Sequence, residues 1–146
     1  MSKVSIASPQ QGVAIDRARM GEAARIVLDG EGVADYEISL AFVDNTTIHR
    51  LNKQFLDHDE PTDVLTFPLS DATARKLTGE LVIGVEVGRE QALRRGHDVQ
   101  AELVLYVIHG LLHLCGYDDA TEEEARRMRE RERHYLGRLG LPDIAE

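Results

Sequence analysis

The segment Val99–Leu114 constrains this chain more than any other. Leu103, Val104, Val107, Ile108, Leu111 and Leu112 cover most of the circumference of the helix that their spacing predicts. A helix apolar on nearly every side cannot lie on a surface, so the other elements have to pack round it as a shell. Asp98 stands where it can cap the start, and Gly116 where the helix must break. Two histidines, His109 and His113, interrupt the apolar pattern, and polar groups in a buried helix are costly unless partnered.

The remaining segments supply the shell. Val4 and Ile6 predict a short strand, Pro9 to Gly12 a turn, and Ile15 to Leu28 a helix with Ile15, Ala18, Ala23, Ile26 and Val27 near one face. Tyr36, Ile38, Leu40 and Phe42 alternate with Glu37, Ser39 and Ala41, the period of a strand with one face in the core. Asn45–Leu56 is expected to be a helix with Ile48, Leu51 and Phe55 inward, capped by Asp44 or Asn45. After a polar loop ending at Pro61, Val64–Leu69 is a strand that Pro68 ends early, because proline cannot donate to a central ladder. Asp71–Thr78 is expected to be loop, Glu80–Val85 a strand, and Glu86–Arg95 a short helix closed by Gly96. Thr121 and Glu124 form a capping box opening a last helix whose inward stripe is Ala125, Met128, Tyr135, Leu136 and Leu139. About four strands among about five helices predict the α+β class: a compact single domain over residues 1–146, with a mixed sheet and the apolar helix at its centre.

Composition narrows the function. A chain of 146 residues with one Cys has no internal disulfide, yet at this length it buries roughly 68–70% of its extended surface and folds without a structural metal. A metal here therefore needs a functional reason. The opening MSKVSIASPQ lacks the apolar run of a signal peptide or a membrane span, so a cytoplasmic protein with no membrane partner is expected. A net charge of −9 argues against a general DNA or RNA coat. It leaves room for an enzyme with a local basic rim, for which Arg89, Arg94 and Arg95 are the best candidates. The arginines at 126, 127, 129, 131 and 133 alternate with Glu130 and Glu132 and read as surface pairs at i,i+4 spacing.

The histidines carry the chemistry. Residues four apart on a helix lie about 6 Å apart along the axis and roughly 40° round it, so His109 and His113 can aim at one point. Gly116 lets the chain turn sharply and bring Asp118 or Asp119 back as a third ligand. Two imidazoles and a carboxylate leave one position of a tetrahedral zinc ion open, as in catalytic sites, although nickel, cobalt and manganese accept similar donors. Cys115, about 200° round from His113, is expected to pack elsewhere. His49, His58, His97 and His134 have no comparable partners in sequence; of these, His58 and His97 lie in loops that could fold over a cleft. The spacing also resembles half of the HExxH peptidase motif, but Gly110 stands where that motif needs its glutamate.

The run His109-Gly110-Leu111-Leu112-His113-Leu114-Cys115-Gly116-Tyr117-Asp118 resembles the HGxLHLxGYDH motif of the YbeY family of metal-dependent endoribonucleases. Leu51-Asn52, the segment from Pro61 through Thr62-Asp63-Val64 to Pro68, Gly79 to Ile83 and Glu102 match further family positions in order. The chain departs from the pattern at Asp119, where the family has its third metal-binding histidine, and at Leu56, where an arginine is expected.

The resemblance implies His109, His113 and Asp119 as ligands of one Zn(2+) ion, with His109, His113 and Asp63 as the catalytic set; Thr62 and Asp63 are cleft groups on this reading, while Asp63 equally suits an acceptor of backbone bonds in the turn before the strand. It implies cleavage of single-stranded RNA in late small-subunit rRNA maturation and ribosome quality control. The implied partners are rRNA and the small subunit or its associated proteins, with no DNA. Asp118 is then expected beside the ligands, orienting a histidine or tying down the loop. An aspartate ligand in place of histidine adds one negative charge to the site, and the absence of the arginine removes a phosphate-binding group. Competing readings are a largely noncatalytic ribosome-associated maturation factor, a metallohydrolase of another substrate class, and a metallopeptidase.

Overall fold

The computed structural model describes residues 2–60, 62–71 and 73–145, so Pro61 of the family-like segment lies outside the described residues. The elements follow in the order β1 Lys3–Ala7, α1 Arg17–Gly30, β2 Tyr36–Val43, α2 Asn45–Leu56, β3 Val64–Pro68, β4 Leu77–Gly84, α3 Val85–Arg95, α4 Val99–Leu114 and α5 Glu122–Arg138. The four strands form one mixed sheet in the order β1-β2-β4-β3. β1, β2 and β4 run parallel, and β3 returns antiparallel along β4 at the edge, where Pro68 ends the pairing opposite Gly79.

The period-two pattern of β2 resolves into two faces. Ile38, Leu40 and Phe42, with Leu81 and Ile83 of β4, face the main core under α1 and α4. Val43, Val82 and Leu65 face the other way into a smaller cluster closed by Ile48 of α2. On the main-core side of the sheet α4 is the spine: every residue from Ala101 to Ile108 is buried, as are Gly110, Leu111 and Leu112, against α1, α3, α5, β3 and β4. Gly110 permits the closest approach to the sheet, since a Cβ there would lie 2.8 Å from the Leu81 side chain. No helix among the described residues is long and apolar enough to cross a membrane.

The local signals hold with named exceptions. Asp44 accepts from the Thr47 amide at 2.8 Å at the start of α2, and the Thr121–Glu124 capping box is complete. Phe55, expected inward, is instead 56% exposed and packs edge-on against Phe67. Its place is taken by Asn52, buried so that its amide donates to the Glu60 carbonyl and ties down the following loop. Ala18 is exposed, while Met20, Ala24 and Leu28 share the buried face of α1, which begins at Arg17 under an Asp16 cap. Asp98 occupies the N-cap position of α4 but makes no capping bond; its carboxylate pairs with Arg19 at 3.5 Å. β4 starts at Leu77, inside the segment expected to be loop, because Leu77 and Thr78 pair in register with Tyr36 and Glu37 of β2. Val85 belongs to α3 rather than to the strand.

Candidate metal centre

The site is built where α4 ends. Gly116 adopts φ +104°, and the amides of Gly116 and Tyr117 return to the carbonyls of His113 and Leu112, each at 3.0 Å. This paired closure by a left-handed glycine ends the helix and reverses the chain. It sets the Tyr117 carbonyl 3.0 Å from His113 Nδ1 and carries Asp119 back over the two histidines.

Ring orientation follows from hydrogen bonding. A carbonyl can only accept, so His113 Nδ1 carries the proton and a neutral His113 presents its Nε2 lone pair. His109 Nδ1 lies 2.6 Å from Oε2 of Glu132 on α5, a carboxylate that is 6% exposed, and the same tautomer results. The two Nε2 atoms then face each other at 3.1 Å. Asp119 Oδ2 lies 3.5 Å from His109 Nε2, and its Oδ1 lies 3.7 Å from His113 Nε2. Two lone pairs and a carboxylate at such distances need a positive charge among them, a proton on one ring or a cation shared by all three. Ligands about 2.0–2.1 Å from a tetrahedral ion are separated from each other by about 3.3 Å, so the three donors fit one divalent ion. Burial opposes protonation of His109, but the hydrogen bond and charge of Glu132, reinforced by Asp119 and Asp63, outweigh it and hold the His109 pKa above the ordinary imidazole value. The same negative charge, from Glu132, Asp119 and Asp63, attracts a metal cation.

The ligand group borders a cleft of about 530 Å³. Its walls come from the Thr62–Asp63 loop, from Gln91 and Arg95 of α3, and from Ala125, Met128, Arg129 and Glu132 of α5, with Tyr106 and His109 of α4 between them. Gly84 brings the loop close: a Cβ there would lie 2.5 Å from the Thr62 carbonyl oxygen, and the Gly84 amide donates to the Asp63 carbonyl at 2.8 Å. Asp63 Oδ1 accepts from the Val64 amide at 2.7 Å, so this residue both organises the turn and faces the cleft. Glu102 is buried on α4 against His97 and lies 3.4 Å from Arg95, while burial and the neighbouring Glu102 push the Tyr106 phenol pKa up. Tyr106 therefore stays protonated in the cleft.

Of the two roles expected of Asp118 the second is observed: it orients neither histidine, and its Oδ1 accepts from the Asp119 amide at 2.8 Å, tying down the loop that carries Asp119. Cys115 packs against the main core outside the His109, His113 and Asp119 group, as its place on the helix predicts, and burial raises its thiol pKa to about 11. Of the expected basic rim only Arg95 reaches the cleft; Arg94 pairs with Glu90 at 2.7 Å, and Arg89 donates to the Gly12 carbonyl. Leu56 is exposed at the end of α2, away from the cleft lining. His97 is held by Glu102, His49 by Asp59 at 2.6 Å, and His134 stacks edge-on against Tyr135.

The i,i+4 account of α5 holds only in part. Arg126 reaches Glu130 and Arg127 reaches Glu123, but Arg131 binds Glu31 and Glu132 turns inward to His109. Glu132 is the site residue that sequence reasoning missed. The signal was present: Glu132 falls four residues after Met128 and four before Leu136, a carboxylate on the apolar stripe.

Comparison with known proteins agrees with this geometry. The profile of the family described as Endoribonuclease YbeY matches residues 5–140. The Endoribonuclease YbeY of Pelotomaculum thermopropionicum is 41% identical, over 94% of this chain and 97% of the relative. That of Carboxydothermus hydrogenoformans is 43% identical over 82% of this chain and 83% of the relative. The solution structure of TM1509 from Thermotoga maritima superposes with a TM-score of 0.65 at 26% identity, covering 99% of both chains. With nearly its whole length matched and two histidines and an aspartate gathered at the end of its central helix, this chain belongs to the YbeY family.

Proposed function

We propose that this protein is a metal-dependent endoribonuclease that cuts single-stranded RNA and works in the cytoplasm on late maturation and quality control of small-subunit ribosomal RNA. The observation that carries the reading is the convergence of His109, His113 and Asp119 on one point beside an open cleft. It is supported by relatives along nearly the whole chain that bear the name Endoribonuclease YbeY. Zinc is the ion that best suits two imidazoles and one carboxylate. When bound, it supplies Lewis acidity and positive charge toward a phosphodiester.

The chain's own residues supply the rest. Glu132 and the Tyr117 carbonyl hold the two imidazoles in the tautomer that leaves Nε2 free for a ligand bond. Asp63 commits Oδ1 to the Val64 and Thr62 side of the loop. Its second oxygen is the proposed acceptor of the proton released by the attacking oxygen. Gly110 rules against the peptidase alternative, because its Cα faces Leu81 of the sheet and a glutamate there would enter the core.

The test is cleavage of a single-stranded RNA by the purified protein. Cutting should require a divalent metal and fall sharply in His113→Ala, with peptides left intact. Cleavage indifferent to chelation and to both histidine substitutions would refute the proposal. RNA binding without cleavage in metal-loaded protein would favour the noncatalytic maturation factor.

A further inference from the structure

We infer that Arg129 is an RNA-phosphate-binding residue of the cleft, holding the strand beside the metal centre, an inference that rests on the ribonuclease reading. Ala125, Met128, Arg129 and Glu132 all line the cleft, and their spacing of three, four and seven residues puts them on one face of α5. Glu132 on that face bonds His109 at 2.6 Å, and Arg129 stands three residues before it, about 4.5 Å back along the axis. The long guanidinium arm thus shares a wall with a residue that touches a ligand.

What marks Arg129 out is the state of its charge. Along the same helix Arg126 is paired with Glu123 and Glu130, Arg127 with Glu123, Arg131 with Glu31, and Arg133 with Asp143, while Arg138 in the last turn is exposed and does not line the cleft. Arg129 is half-buried and makes no ion pair or side-chain hydrogen bond with any other described residue. The second cation of the cleft, Arg95, is already engaged by Glu102 and by the Ile144 carbonyl. Asp63, Glu102, Asp119 and Glu132 give the cleft four carboxylates against these two guanidinium groups. A polyanion entering such a cleft needs the uncommitted cation, and a planar guanidinium suits two phosphate oxygens. In a chain of net charge −9 this interaction would have outsized weight, because no general positive field exists to replace it.

The experiment is equilibrium binding of a fluorescently labelled, 2′-O-methylated single-stranded oligonucleotide to zinc-loaded full-length protein, by anisotropy at several salt concentrations. Arg129→Ala should raise Kd by about five- to tenfold at moderate salt, the scale of one ordinary net hydrogen bond in a solvent-open cleft screened by salt. It should also lower the magnitude of the log–log salt slope by about 0.7, the value for one phosphate of a single strand left unneutralised. Arg129→Lys should keep the wild-type slope and recover part of the affinity, a rescue that a purely structural role would not produce. Arg126→Ala, which removes a surface-paired arginine of the same helix, should change neither quantity, and zinc affinity should be equal in all four proteins. If Arg129→Ala matches Arg126→Ala in Kd and slope while the wild type binds, the Arg129 assignment alone is overturned. If the wild type does not bind RNA, the ribonuclease reading falls and the assignment falls with it.

Discussion

Removing the carboxylate behind His109 should loosen the metal without loosening the fold. Glu132 Oε2 sits 2.6 Å from His109 Nδ1 and is buried, so the interaction is a charge-assisted hydrogen bond shielded from water. Partners of this kind typically hold tenfold to 100-fold in metal affinity, about 1.4–2.7 kcal/mol. Glu132→Gln keeps an acceptor for the Nδ1 proton and loses only the charge, so its zinc affinity should fall by about tenfold. Glu132→Ala loses both and should approach about 100-fold. The assay is competition with a chromophoric chelator at neutral pH, beside thermal melts of the metal-free proteins. Those melts should move little, because the substitution also removes the cost of burying a carboxylate. A second readout has the opposite sign. Glu132 helps to raise the His109 pKa, so protons displace metal from the wild type starting at higher pH, and in Glu132→Gln the competing protonation of His109 should move to lower pH. Affinities of both variants within about twofold of wild type, or a His109 titration unmoved in Glu132→Gln, would refute the reasoning.

Three further outcomes follow from the geometry. Leu111 is fully buried in the spine, so Leu111→Ala should cost about 2–5 kcal/mol in denaturant unfolding, whereas His109→Ala should cost metal affinity more than stability. Asp119→Ala should weaken zinc binding more than either Glu132 variant, Asp119→His should retain it, and Asp118→Ala, which removes only a 2.8 Å bond to the Asp119 amide, should stay within about tenfold by the same chelator competition. Burial alone would raise the Glu31 pKa, but hydrogen bonds from Tyr135 and Arg131 outweigh it and leave it lowered. Glu31 therefore contributes stability that is present above the ordinary carboxyl pKa and lost as pH falls through its depressed value, so an acid titration of the melting temperature should be flatter in Glu31→Gln than in the wild type.

How much of this protein its sequence determines depends on the range of the interaction concerned. The spine helix, the strand pairs in β2, the capping box at Thr121 and the reversal at Gly116 are encoded by neighbours within a few residues, because helical and pleated periods and caps are local geometry. The pincer of His109 and His113 is local in the same sense: one helix turn sets both rings, and a left-handed glycine three residues on returns Asp119 to them. Tertiary structure decided everything that needed a second element. Phe55 was free to leave the core because the buried Asn52 found a carbonyl at Glu60. Asp98 gave up its helix for Arg19 of α1. The sequence placed Glu132 among surface pairs, and only the packing of α5 against α4 turned it toward His109; the same packing left Arg129 in the cleft without a partner among the described residues. Chain-local patterns specify which side chains share a face, but the charge that meets that face comes from a helix 23 residues away in sequence, and no period in the chain encodes that distance.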